Sequence, residues 1–417
     1  KAVGYFITMN PGDAGRLALP ENLKALFRGV TMMQPDFQII MIVKLCSVGY
    51  NEYELLAQKF FVLYDTCKLQ LSNQKHYDWG LRNILSVLRT CGANKRSNMD
   101  KPESYLLYQT LRDMNLSKLV AQDVPLFLSI LADLFPAMSS PPIAEYPVME
   151  KALMEDVEKA GLIFHEGPAG SEGTRGGWVG KVIQLYETTR VRHGIMLVGP
   201  TGGGKTKIFS SLRSVLTKIT GTTHKDARFN PKAIRAQEMY GEMDPLSGEW
   251  TTGVFAALWS KFNRRENAFN TWIIADGPVD AIWIEDLNTV LDDNKILTLA
   301  NGDRMPMTDN VKMMFEVETL VNASPATVSR AGIIFIAEVE LDWEAVFRAW
   351  VRTRPADHQP ILLGLCVKWL GKCTPIAPGE AFEFLIRNCN PVLKVGRITV
   401  IQSMATLITG LSDGETI

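Results

Sequence analysis

The sequence lacks an excess of either charge. Its 417 residues carry 44 Lys and Arg against 45 Asp and Glu, a formal net charge of −1, and the charges are spread along the chain. Binding to a nucleic-acid backbone needs a basic stripe or patch, so we expect no nucleic acid as partner. No apolar run approaches the roughly 18 residues of a membrane-spanning helix. We therefore expect no membrane partner either.

Closely spaced cysteine pairs are also lacking. The six cysteines are far apart and include no C-x-x-C pair. This spacing is typical of reduced thiols in an intracellular protein and argues against a zinc site or a disulfide framework. We predict core positions for all of them: Cys46, Cys67, Cys91, Cys366, Cys373 and Cys389.

The beginning of the chain lacks an initiator Met and a signal peptide, and it enters directly into an apolar segment at residues 5–9. We interpret the chain as a piece of a longer protein. Its length predicts two or three domains.

The most informative motif is a complete G-x-x-x-x-G-K-[ST] sequence after the apolar run 195–198. It predicts a buried strand, a phosphate-binding loop and a helix over residues 205–219. Glycines let successive backbone N–H groups approach a phosphate, a lysine serves the outer phosphates, and a threonine hydroxyl ligates Mg²⁺. A chance glycine-rich turn is the alternative. The predicted nucleotide-binding residues are Gly199, Pro200, Thr201, Gly202, Gly203, Gly204, Lys205 and Thr206.

A second nucleotide signal is the mostly apolar strand 271–276, which ends in Asp276. In phosphate-loop proteins such an aspartate helps to hold Mg²⁺, and a glutamate after it orients the attacking water. Here Gly277 follows, and glycine cannot polarise water. We predict that the site binds ATP without efficient turnover. Asp280 and Glu285 are interpreted as solvated or structural.

The first third of the chain has helical periodicity. A short strand at 5–9 is predicted to end in Asn10, for which a turn former before proline is the alternative. Pro-rich residues 136–142 predict a domain boundary near 141, and glycine-rich residues 167–177 predict a mobile surface loop before a helix at 178–191. The predicted helices before that boundary span 21–27, 36–48, 52–71, 75–91, 103–114 and 123–135.

The later part of the chain predicts a hairpin over 295–307 around Asn301-Gly302, and strands at 312–317 and 332–337. Arg330 precedes the last strand. On its own it is best interpreted as a surface arginine or a helix C-cap. The front of the chain has the same order of a strand, a turn and a short helix, followed there by Arg28. This repetition predicts two copies of one module.

Five segments together resemble the dynein heavy chain, in the order found across the end of its first AAA+ module and most of its second. The residues around 301–304 and 322–330 resemble axonemal dyneins more than cytoplasmic ones. Departures from the family pattern occur at Asp13, Gly29 and Ala331. The segments are ITMNPG at 7–12, LPENLKALFR at 19–28, HYDWGLR at 76–82, GPVDAIW at 277–283 and NASPATVSR at 322–330.

The resemblance implies an α/β fold of AAA+ P-loop NTPase modules, each with a parallel-sheet large subdomain and an all-helical small subdomain. It implies that Asn10 and Arg82 are the sensor I and sensor II positions of the first module's hydrolytic site, and that Arg330 is an arginine finger offered to that same site. No such catalytic role is expected for Arg28. The implied subdomains span 1–34 (first large), 35–140 (first small), 141–340 (second large) and 341–417 (second small, incomplete).

The resemblance also implies a microtubule motor ATPase that uses ATP or ADP with Mg²⁺, held by Thr206 and Asp276 in the second module. Implied partners are the other AAA+ modules, microtubules through a stalk outside this chain, other heavy chains, and intermediate and light chains. The implied location is the cytoskeleton of a cilium or flagellum. We expect this fragment to be inactive alone. A non-motor scaffold is the alternative, and a helicase or translocase is disfavoured by the charge balance.

Overall fold

The structure is a computed structural model, and it describes residues 3–9, 19–136, 146–163, 177–337, 340–341, 343–370, 381, 384–385, 388–389 and 396–412. Its centre is a parallel five-stranded sheet in the order β2-β5-β8-β1-β9, which confirms the predicted α/β class. Two antiparallel hairpins, β3-β4 and β6-β7, lie beside it. The strands are β1 Gly194–Val198, β2 His224–Phe229, β3 Gly241–Met243, β4 Trp250–Thr252, β5 Asn270–Asp276, β6 Ile296–Thr298, β7 Arg304–Pro306, β8 Val311–Val317 and β9 Gly332–Phe335.

Helices precede, flank and follow this sheet. None of those within the described ranges is both long and apolar enough to cross a membrane. They are α1 Glu21–Lys24, α2 Phe37–Val48, α3 Tyr53–Gln70, α4 Leu81–Ser97, α5 Glu103–Leu116, α6 Val124–Leu134, α7 Pro147–Lys159, α8 Gly177–Val191, α9 Lys205–Thr220, α10 Ala236–Tyr240, α11 Val254–Phe262, α12 Ala281–Ile284, α13 Asn288–Leu291, α14 Pro325–Val328, α15 Trp343–Val351, α16 His358–Trp369 and α17 Arg397–Ser412.

Helices α2–α6 form a helical unit with its own core. Its central side chains, Phe60, Leu63 and Phe127, are fully buried. The Asp36 carboxylate accepts hydrogen bonds from two backbone N–H groups at the start of α2, as an N-cap residue does. The helical unit therefore has local capping signals and an apolar core of its own.

The parallel sheet is covered on both faces. On one face, Trp259 and Phe255 of α11 pack against strand residues such as Phe315. On the other face, residues of α7, α8 and α9 pack against Trp272 and Met314. Burial on both sides explains why β1, β5, β8 and β9 are mostly apolar, whereas the edge strand β2 is largely polar and more exposed. The sheet and the helices that cover it, built from the described residues between 146 and 337, are called the sheet unit. Helices α15–α17 form a smaller cluster next to it.

Several local predictions were wrong. Residues 5–9 are not a strand and are exposed, because among the described residues every strand of the sheet lies between 194 and 335 and none of them pairs with this segment. Helix α4 begins at Leu81 and not at residue 75. Cys46 and Cys389 are exposed, whereas Cys67, Cys91 and Cys366 are buried as predicted. The Asn301-Gly302 hairpin is confirmed as β6-β7.

Some predictions fall on residues outside the described ranges. These are Asn10, Asp13, Cys373, the boundary near residue 141 and most of the glycine-rich loop.

Candidate nucleotide site

The phosphate loop has the predicted arrangement of strand, loop and helix. Strand β1 ends at Val198 and α9 begins at Lys205. Gly204 has φ 81°, a left-handed conformation that favours glycine. A Cβ at Gly204 would also lie 2.8 Å from Nε1 of Trp178. Both observations explain why glycine stands directly before the helix.

Lys205 is anchored within the loop. Its Nζ donates hydrogen bonds to the carbonyl oxygens of Gly199 at 2.8 Å and Pro200 at 2.9 Å. Burial lowers the pKa of Lys205, and the carboxylates of Glu316, Glu318 and Asp276 act in the opposite direction. The lysine thus lies at a site that also contains three carboxylates.

A cavity of about 1010 Å³ opens beside this loop, between the sheet unit and helices α15 and α17. This volume suits a ligand of nucleotide size. Its lining combines the phosphate loop and nearby polar residues with apolar side chains. The first group includes Thr201, Gly202, Gly204, Lys205, Thr206, Asp276, Glu316, Glu318 and Thr319. The apolar side chains are Val157, Leu162, Ile163, Trp178, Val179, Leu341, Val346 and Ile398, of which Trp178 and Leu341 lie next to Gly204.

Two carboxylates of the cavity lining lie side by side in the sheet. Asp276 of β5 and Glu316 of β8 are register partners in the parallel sheet. Thr206 Oγ1 donates a hydrogen bond to Glu316. Arg228 Nη1 lies 3.1 Å from the Glu316 carboxylate and 3.6 Å from the Asp276 carboxylate. The structure therefore brings Thr206 and Asp276 to the lining of one cavity, with Glu316 between them and Arg228 in contact with both carboxylates.

Glu316 was missed because its strand, 312–317, was interpreted only as a buried apolar segment. A charged residue between Phe315 and Val317 is the signal that could have identified it. Lysines and glutamates are almost never fully buried without a partner. A glutamate in this buried strand therefore indicates a specific polar contact.

Gly277 follows Asp276 directly and lines the cavity. A Cβ at Gly277 would lie 2.9 Å from Oδ1 of Asn230 and 3.3 Å from Pro231. The glycine thus reflects a close approach of two chain segments. Asp280, interpreted as solvated or structural, forms an ion pair of 3.1 Å with Lys232.

Arg330 and Arg82 meet at a different place, where the helical unit contacts the sheet unit. Nε of Arg330 lies 2.8 Å from Oδ1 of Asp292, and Nε of Arg82 lies 3.7 Å from the same atom. Arg82 Nη1 also donates to Ser329 Oγ at 3.2 Å. The structure brings the two predicted arginines together, and neither lines the cavity described above.

The helical unit is joined to the edge strand β9 of the sheet unit. The Phe335 N–H donates to the Ser117 carbonyl oxygen at 2.9 Å, and Ser117 Oγ donates to the Ile333 carbonyl oxygen at 3.3 Å. The His76 ring stacks on Phe335 with 5.1 Å between centroids. Backbone hydrogen bonding therefore continues from the sheet into the turn after α5.

Residues 76–80 form a loop held by that same turn, which explains why α4 starts late. His76 Nε2 donates to the Lys118 carbonyl oxygen at 2.9 Å, and Lys118 Nζ donates to the Asp78 carbonyl oxygen at 2.9 Å. The ammonium also lies 3.9 Å from the centroid of Trp79. These tertiary contacts override helical periodicity and place Arg82 in the first turn of α4.

Comparison with known proteins identifies the family of this chain. Residues 1–206 match the family described as the hydrolytic ATP binding site of the dynein motor region, and residues 194–331 match the AAA domain of the dynein-related subfamily. The dynein gamma chain of the flagellar outer arm of Chlamydomonas reinhardtii is 52% identical over 98% of this chain. The chain belongs to the dynein heavy chain family.

Other heavy chains are similar over the same range. Dynein axonemal heavy chain 5 of Rattus norvegicus is 48% identical and dynein axonemal heavy chain 8 of Homo sapiens is 47% identical, each over 98% of this chain. The alignments cover only 9%, 11% and 9% of the algal, rat and human proteins. The chain therefore spans about a tenth of the length of the curated relatives it matches.

The donor set fits a magnesium ion bound together with a nucleotide. Mg²⁺ in proteins is usually held by one or two carboxylates together with substrate phosphates and water. Within the described ranges, no group of three or more His, Cys, Asp and Glu side chains is placed to hold a metal by itself. In this dynein segment Thr206 and Asp276 would hold the ion, with the phosphates completing its coordination.

Proposed function

We propose that this chain is part of an axonemal dynein motor ATPase, and that its sheet unit retains Mg-ATP without efficient hydrolysis. The observation that carries the proposal is the cavity lined by a complete phosphate loop. Backbone N–H groups and Lys205 of that loop would bind the phosphates. Apolar side chains of the same cavity, such as Leu162 and Ile163, suit a purine base. ATP or ADP is the ligand class that fits both kinds of lining.

Poor turnover is proposed from the residue after Asp276. Glycine replaces the carboxylate that would orient the attacking water. Glu316 is engaged by Thr206 and Arg228, which leaves it poorly suited to act as a base. Retained ATP would then stabilise the folded unit by mass action, by several kcal/mol if the concentration is about a thousand times Kd.

Arg330 and Arg82 are proposed to act on a nucleotide in the first module, together with Asn10, which lies outside the described residues. Their shared position away from the cavity supports a role at another site. A guanidinium stabilises the charge that develops in phosphoryl transfer. The proposal assigns residues 1–140 to the first module, with its small subdomain from 35, and residues 141–417 to the second, with its small subdomain from 341.

The names of the relatives support a proposed location. Their names place them in the flagellar outer arm or call them axonemal, and we propose an axonemal location for this chain. Movement along microtubules, contact with further AAA+ modules, and binding of other heavy, intermediate and light chains are parts of the same proposal.

The proposal is tested by the nucleotide content of the full-length heavy chain. Purified protein is freed of unbound nucleotide, denatured, and its ATP and ADP are quantified. Lys205→Ala should lower the retained ATP by about one equivalent, because it removes the cation that contacts the phosphates. Lys207→Ala is the matched control, since Lys207 lines the cavity outside the motif. Equal nucleotide content in wild type and Lys205→Ala would contradict the proposal.

A further inference from the structure

Glu316 is a buried carboxylate that the phosphate-loop motif does not account for. It is 8% exposed and lies at the carboxyl end of β8 on the wall of the cavity. It accepts hydrogen bonds from the Thr206 hydroxyl and from Nη1 of Arg228. Burying a carboxylate is unfavourable unless it is paired. Thr206 belongs to the phosphate loop, and Arg228 also lies 3.6 Å from Asp276, which ties the burial of Glu316 to this site.

The contact to Thr206 is made by Glu316 and not by the predicted aspartate. The Asp276 side chain is 52% exposed and lies 3.6 Å from Arg228. A threonine hydroxyl has one proton and two lone pairs. When the proton is donated to Glu316, the lone pairs remain available for a metal ion.

Arg228, which contacts Glu316, also belongs to a chain of ion pairs that leads to α9, the helix after the phosphate loop. Its Nε donates to Asp226 at 3.3 Å, and Asp226 forms an ion pair with Arg213. Arg213 lies on α9, the helix that begins at Lys205. The network therefore connects the middle of α9, through strand β2 and Glu316, to the Thr206 hydroxyl at the start of the same helix.

We propose that Glu316 is the positioning residue of the magnesium site in this unit. Its carboxylate fixes the Thr206 hydroxyl so that an oxygen lone pair can bind Mg²⁺, and Arg228 fixes the carboxylate. This inference rests on the proposed binding of Mg-ATP. Partners that orient a metal ligand typically change metal affinity by about 10- to 100-fold when they are removed.

The test measures how much Mg²⁺ is needed to retain ATP. In the full-length heavy chain, binding of a fluorescent ATP analogue is followed as Mg²⁺ is titrated, and the signal lost in Lys205→Ala is assigned to this site. Glu316→Gln keeps the shape and removes the charge. We expect it to raise the Mg²⁺ concentration for half-maximal binding about 10-fold or more, with little change in binding without Mg²⁺.

Glu242→Gln is the matched control, because Glu242 is an exposed carboxylate of β3 that does not line the cavity. It should leave the midpoint unchanged. Arg228→Gln should shift the midpoint in the same direction as Glu316→Gln, which gives a second reading if one variant folds poorly. An unchanged midpoint in Glu316→Gln, or an equal shift in Glu242→Gln, overturns the inference. A wild-type protein without any signal from this site overturns the proposed function itself.

Discussion

Arg330 and Asp292 form an ion pair with 2.8 Å between Nε and Oδ1. Asp292 lies at the C-terminal end of α13, and its backbone N–H donates to the Asn288 carbonyl oxygen. The same carboxylate oxygen faces Arg82 of the helical unit at 3.7 Å. One aspartate therefore positions the two arginines that we propose to act at the first module's nucleotide.

Asp292→Asn should lower the steady-state ATPase rate of the full-length protein by about tenfold, equivalent to about 1.4 kcal/mol in the barrier. The reason is that both arginines lose the charge that orients them. Asp293→Asn is the control. Asp293 binds Arg89 at 2.7 Å, but the side chains are 73% and 64% exposed, and such exposed pairs contribute little. Equal rates for the two variants would refute the positioning role of Asp292.

Arg330→Ala should lower microtubule-stimulated turnover by about a hundredfold or more, because an arginine finger acts mainly in the transition state. ATP binding should largely persist. Arg330→Lys should restore little, since an ammonium does not reproduce the planar guanidinium. Steady-state ATPase and gliding assays measure both variants. A surface arginine would change stability by at most about 0.5 kcal/mol and leave turnover normal, and that result would rule out the finger.

The sequence was sufficient where a local motif determines local structure. The phosphate loop, the strand ending at Asp276 and the Asn301-Gly302 hairpin are local patterns, and the structure has the predicted elements. It was insufficient where contacts between residues far apart in the sequence determine the local structure. Residues 75–80 have helical periodicity, but their contacts with the turn at Lys118 hold them as a loop.

The candidate site likewise contains residues that local motifs predict and contacts that they do not predict. Thr206 and Asp276 were predicted from motifs. The Arg228–Glu316 contact joins residues 88 positions apart, and the Arg82–Ser329 contact joins residues 247 positions apart. Only the pairing of strands and the docking of the helical unit bring these residues together, so no local pattern could have predicted the contacts.

Gly277→Glu should fail to restore hydrolysis at this site. The side chain would have to displace Asn230, whose Oδ1 accepts a hydrogen bond from the Lys232 N–H at 2.9 Å. Such overpacking typically costs about 1–3 kcal/mol. We expect a lower melting temperature and an unchanged rate in single-turnover assays. Adding Asn230→Ala should recover part of the stability. Efficient hydrolysis by Gly277→Glu alone would show that the close approach at Asn230 is not limiting.

The stability of the helical unit should increase from pH 7 to about pH 9. Burial lowers the pKa of Lys118 to about 7 from its usual 10.5, with Asp78 and Cys67 opposing and Arg192 reinforcing the shift. Between these values the unfolded chain binds a proton that the folded protein does not, so the free energy of unfolding rises with pH. Above pH 9 the buried thiols Cys67 and Cys91, whose pKa values are raised to about 12, act in the opposite direction.

Hydrogen exchange of α3 and α5 amides in the full-length protein measures this effect, after correction for the intrinsic pH dependence. We expect a gain of about 1–2 kcal/mol for wild type, from up to 1.36 kcal/mol per pH unit for one proton. Lys118→Met should remove most of the gain, whereas Lys68→Met, at an exposed position of α3, should keep it. A gain that persists in Lys118→Met would assign the pH dependence to another group.

The fate of ATP at the phosphate loop tests the central claim most directly. Full-length protein is loaded with γ-labelled ATP, separated from free nucleotide and chased with unlabelled ATP while its steady-state turnover proceeds. The labelled nucleotide that is absent from Lys205→Ala belongs to this site. Our account predicts that this label remains in ATP through many turnovers of the protein. Its conversion to ADP and phosphate at the steady-state rate would contradict the account.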